Sequence, residues 1–134
     1  MWTHRISLLA FGLLSPTAAR AQALASPFAT VSQKVDSTTI TVEYYRPSAR
    51  GRQIFGGIVR WGQQWTPGAN WATTLEVNRP VKLEGHVLPA GKYSLWFTPV
   101  PRPQQWTVVL SRTARRFHVV RPSASDDQLR LTIA

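Results

Sequence analysis

The sequence has 134 residues, 43% hydrophobic and 10% aromatic with six tryptophans, which is enough apolar material for one packed domain and excludes a disordered chain. Ten prolines and eight glycines are spread along it, so many short elements and turns are expected in place of long helices. The formal charge is +10 and there is no cysteine, so the fold must rest on core burial and a lipid-anchored N-terminal cysteine is excluded.

The chain opens on a segment that reads as a signal peptide. His4 and Arg5 form a weakly basic start, and Ile6 to Leu14 is a nine-residue apolar stretch, too short to span a bilayer. Ser15 and Pro16 break the run, and Ala19-Arg20-Ala21 then satisfies the small-x-small cleavage pattern, as does Ala21-Gln22-Ala23. Residues 1–21 are therefore expected to be removed on export to the periplasm or beyond, leaving 22–134 as a single domain. That cleavage takes away Arg5 and Arg20 and leaves 14 basic and 6 acidic side chains, a charge of +8. Lys34, Lys82 and Lys92 are the only lysines, so arginine carries most of this charge. Basic charge of this size suits anionic partners. Export argues against nucleic acid and leaves an anionic small molecule or glycan as the partner to consider.

Strand patterns begin at once. Phe28 to Val35 alternates loosely, Asp36-Ser37 reads as a turn, and Thr38 to Tyr45 puts Ile40, Val42 and Tyr44 on one face. Arg46-Pro47 ends that strand, because proline cannot donate to a ladder. Residues 47–70 follow neither strand nor helix period, yet hold Ile54, Phe55, Ile58, Val59, Trp61 and Trp65 among five glycines. So apolar an irregular stretch must bury something, and a long loop in a compact domain is usually functional or folded over the core. Strands resume at Ala72–Val77, Val81–Leu83, Val87–Leu88, Lys92–Thr98 and Trp106–Ser111, with shorter ones expected at Phe117–Val120 and Gln128–Ile133. Seven or eight short strands at this spacing predict an all-β fold, a single antiparallel β-sandwich, jelly-roll-like. Its expected core is Ile40, Val42, Tyr44, Leu75, Tyr93, Leu95, Phe97, Val108 and Leu110.

Six elements in fixed order carry a family resemblance: Tyr44-x-Arg46-Pro47-Ser48, Gly51-Arg52-x-Ile54-Phe55-Gly56-Gly57, Trp65-x-x-Gly68-Ala69-Asn70, Ala72-Thr73-Thr74, Leu88-Pro89-Ala90-Gly91-x-Tyr93 and Trp106-Thr107-Val108. Together they make residues 27–133 resemble an exported bacterial family, the domain of unknown function numbered 2911. The resemblance implies a secreted or periplasmic β-sandwich and carries no established activity, cofactor or substrate. Relatives of this kind continue past the strand resembling Leu129 to Ile133, which implies a sequence cut short after Ala134 and a strand edge left open.

Few residues assemble a recognisable chemistry. Beyond His4 there are only His86 and His118, at a turn and a strand position, with no HxH or HExxH spacing, so neither a metal site nor another cofactor is expected. Glu43, Glu76 and Glu84 fall at outward-looking positions, Asp126-Asp127 open a surface turn, and no GxSxG or phosphate-loop motif occurs. No catalytic residue can be named. The candidate site is instead Arg46, Arg52, Arg60, Trp61, Trp65, Asn70 and Trp71, around the irregular segment. Guanidinium forks there suit carboxylate, phosphate or sulfate, and aromatics with Asn suit a small ligand or sugar. The alternative is a structural or interaction protein of the periplasm, in which the tryptophans plug one end of the sandwich and the arginines bind loop carbonyls.

Overall fold

A computed structural model describes residues 25–133; the expected signal peptide, residues 1–21, lies outside them. Eight strands form: β1 (Phe28–Val35), β2 (Thr38–Tyr45), β3 (Thr74–Val77), β4 (Val81–Leu83), β5 (His86–Leu88), β6 (Gly91–Thr98), β7 (Trp106–Ser111) and β8 (Asp127–Ile133). They make a six-stranded antiparallel sheet, ordered β1-β2-β3-β6-β7-β8, and a separate β4-β5 hairpin. The expected all-β antiparallel fold is present as a large sheet faced by a two-stranded layer, but the expected jelly-roll connectivity is not, because neighbouring strands of the large sheet are joined in chain order and none crosses between layers as a Greek key. Strands of the large sheet follow one another in chain order, with the hairpin as the single detour.

Paired residues share a face, so the register fixes which side chains meet. Val42, Leu75 and Tyr93 stand in one row, and Leu95, Leu110 and Leu129 in the next. On this front face Val77, Leu88, Tyr93 and Leu110 form a buried cluster, with Ile40, Leu75, Leu95 and the hairpin's Val81 and Leu83 packed around it. The nine core residues expected from alternation all lie on this face, where Tyr93 and Leu110 are buried and the other seven are only partly buried.

The back face holds a second core that alternation does not reveal. Trp96 is 0% exposed and Val109 1%, and they cluster with Ala72. Residues 113–121 cover them. Ser94 Oγ donates to the Thr113 carbonyl at 2.8 Å, and Ala72 N donates to the Arg116 carbonyl at 2.8 Å. This covering segment corrects one expectation: Phe117–Val120 is not a strand, and only Phe117 forms a bridge, to Trp71. The segment adds no strand to the sheet, and it reaches the back core at Thr113, through Ser94, and at Arg116, through Ala72. The acidic residues are corrected likewise. Glu43 is half-buried against Lys92 at 2.5 Å, Asp126 pairs with Arg116 at 2.9 Å, and Asp127 begins β8 and pairs with Arg130.

Candidate functional site

The site begins where β2 ends and β3 has not yet begun. Residues 53–59 close a compact turn in which Val59 N donates to the Ile54 carbonyl and Gly56 N to the Val59 carbonyl, both at 2.9 Å. Gly56 sits at φ 79, and a Cβ there would lie 2.8 Å from Trp61 Nε1, so the aromatic and the turn require each other. Trp65 then pairs with Phe97 of β6 through two 2.7 Å backbone bonds. Thr66, wholly buried, donates to the Leu95 carbonyl at 2.7 Å and accepts from Thr73 N at 3.1 Å. Thr73 in turn donates its hydroxyl to the Pro67 carbonyl. Gly68 passes so close to β2 that a Cβ would stand 3.0 Å from the Tyr45 carbonyl oxygen.

This folding divides the seven candidate residues among five places. Trp61 and Trp65 pack with Phe55, whose ring lies 5.9 Å from Trp61, 6.0 Å from Trp65 and 5.2 Å from Trp106. That cluster continues the front core to the end of the sheet. Arg52, Arg60 and Trp65 line a cavity of about 690 Å³ on the same segment. Trp71 lies elsewhere, in a back-face depression of about 300 Å³, with the Arg115 guanidinium 4.1 Å above its ring. Arg46 lines neither space; its N–H donates to the Pro27 carbonyl at 2.9 Å and extends the β1–β2 pairing. Asn70 stands between the two regions at φ 59, accepting from His118 N, with its side-chain Nδ2 buried and unpartnered. One contiguous Arg/Trp/Asn face is therefore not what the chain builds.

The larger cavity has two walls. One is the irregular segment, from Pro47 to Ala49 and from Arg52 through Ile54, Ile58 and Val59 to Trp65. The other is the end of the covering segment, His118, Val119 and Arg121, which sequence reading left out of the site. Arg121 ties the walls together: its Nε donates to the Gln64 carbonyl at 2.8 Å and its Nη2 to Gln63 Oε1 at 3.2 Å. Arg52 is partly committed to its own loop, donating to the Ala49 and Ser48 carbonyls at 2.9 Å each. Arg52, Arg60 and Arg121 thus border one cavity, and no Asp or Glu lines it. None of the three forms an ion pair among the described residues. Only local sequence could have linked Arg121 to the site, and fifty-seven positions separate it from Gln64. No residue periodicity reports a contact of that span.

The smaller depression carries mixed charge. Lys92 Nζ lies 2.5 Å from Glu43 Oε2 and 3.6 Å from Glu76 Oε2. Its hydrogen bond to Glu43 raises the ammonium above its ordinary value against the opposing effect of burial, and the nearby carboxylate charges add to the rise. Among the described residues no group of three or more His, Cys, Asp or Glu gathers to hold a metal ion, and no helix is long and apolar enough to cross a membrane.

A family model described as a protein of unknown function (DUF2911) matches residues 26–134. Comparison with curated proteins gives no match, nor does comparison with solved structures. The match spans nearly the whole domain, and the chain belongs to that family.

Proposed function

We propose that this family member is an exported binding protein, and that its ligand is a small molecule bearing a carboxylate, phosphate or sulfate group. The observation that carries this reading is the charge of the 690 Å³ cavity: three arginines border it and no carboxylate does. Its size falls within the range of about 300–1,000 Å³ typical of small-ligand sites. A cleft of one charge sign with low-dielectric walls concentrates the opposite charge, and guanidinium forks fit oxyanions bidentately. Arg52 and Arg121 are held in place by loop carbonyls, so part of their ordering cost falls on folding and not on binding. Export supports an extracytoplasmic ligand, and a mature N-terminus at Gln22 or Leu24 is its direct check.

Isothermal calorimetry with inorganic phosphate and with acetate, at low ionic strength, tests the binding reading. Binding is expected to weaken as salt rises and to drop about ten- to a hundredfold in Arg60→Ala, since a charge-assisted hydrogen bond is worth about 1.5–3 kcal/mol. Arg60 is exposed, so the variant should melt within a few degrees of the parent. An affinity unchanged by Arg60→Ala and Arg121→Ala, or no heat with any anion, ends the proposal.

A further inference from the structure

We infer, resting on the anion-binding reading, that the ligand of this cavity is an amphiphile: an oxyanion head on an unbranched hydrocarbon tail. The two walls share one sequence order. Ile58 and Val59 lead directly into Arg60 on the first, and Val119 precedes Arg121 by two residues on the second. Each wall therefore offers an apolar stretch ending in a guanidinium. Exposed hydrophobic residues are ordinary singly. Here Ile58 is 52% exposed and Val119 66%, and both border the same concavity, backed by Ile54 and Trp65. A hydrophilic anion would satisfy the arginines and leave this apolar surface wet. A glycan would press hydroxyls against Ile58 and Val119 with no carboxylate among the lining residues to accept from them. A tail laid along Ile58 and Val119, with its head at Arg60 and Arg121, covers the one and pairs the other. Gln63 and Gln64, which already orient Arg121, lie beside the head.

The test is a chain-length series on the unmodified protein: acetate, butyrate, hexanoate and octanoate below their micelle concentrations, with octanol as the headless control and glucuronate as the sugar acid. Affinity is expected to rise with each added methylene, by about fourfold where burial is complete, and octanol is expected to bind at least tenfold more weakly than octanoate. Ile58→Asn and Val119→Asn alter exposed positions. Each should lower octanoate affinity several-fold and leave acetate affinity unchanged, and the chain-length series stands even if a variant folds poorly. A flat series, with acetate or glucuronate equal to octanoate, overturns the amphiphile and leaves the anion reading intact. Octanol binding as well as octanoate removes the role of the arginines, and both readings fall. No binding by any of these probes overturns both as well.

Discussion

At the centre of the large sheet both faces are covered, by different physics, while the edge strand β1 stays exposed. The front face meets a regular hairpin, and its contacts are apolar: Val77, Leu88, Tyr93 and Leu110 at the centre, Val81 and Leu83 from above. The back face meets an irregular segment without strand pairing of its own to offer. Its cover is attached through polar atoms buried in the sheet, among them Ser94, at 0% exposure, which donates to Thr113 and accepts from Trp96 Nε1 at 2.9 Å. A front-face substitution removes packing. On the back face, one substitution can remove packing or detach the cover, and the two effects can be separated.

Trp96→Ala should show the largest effect, a loss of roughly 3–5 kcal/mol, because a wholly buried indole leaves a cavity beneath an irregular segment. Leu88→Ala removes an equally buried side chain from the front and should cost about 2–5 kcal/mol by urea denaturation. The contrast lies in hydrogen exchange at Ala72 and His118, whose N–H groups donate across to and from the covering segment. Trp96→Ala should speed it far more than Leu88→Ala, and equal acceleration would show that the faces are one cooperative unit.

Ser94→Ala sharpens the distinction, since it deletes almost no apolar area. It strands the Trp96 N–H and the Thr113 carbonyl, at an expected cost of about 1–3 kcal/mol. A neutral result in thermal melts would mean that packing alone holds the back cover.

The smallest effect concerns Lys92, also on the back face. Its folded pKa is raised above the ordinary 10.5, first through its hydrogen bond to Glu43. The stabilisation is therefore fully present below about pH 10.5 and is lost as pH climbs through the folded value. Lys92 is about a third exposed, so screening should keep the contribution under about 1 kcal/mol. Melting curves of the parent and Lys92→Met should differ near neutral pH and converge in strong alkali; a gap that persists there would assign the difference to packing of the lysine stem.

The candidate site was partly legible. Large aromatics and arginines without strand period must be structured, which points to Arg52, Arg60 and Trp65, and all three border the 690 Å³ cavity. Arg46 is close to these residues along the chain but not in space, because its backbone still belongs to the β1–β2 pairing. Trp71 was separated from the others by Asn70, whose left-handed φ of 59 turns the chain toward the back face. His118, Val119 and Arg121 could not have been found, since they reach the site only through contacts made across the fold.

Period-2 alternation, with turn residues and prolines marking the ends, places the strands from Phe28 to Ser111 to within two residues and identifies the front face of the sheet, because both are local properties of the chain. It was silent about Trp96 and Val109, which stand opposite one another across β6 and β7, on the face it assigned to solvent. Polar neighbours such as Ser94 and Thr74 mark that face as wet, yet Ala72 packs with Trp96 and Val109 there and residues 113–116 hydrogen-bond across it. The same segment brings Arg121 to Gln64 and closes the cavity. Strands are set by neighbours along the chain; which face is covered, and which charges meet at a site, is set by segments that meet only once the chain has folded.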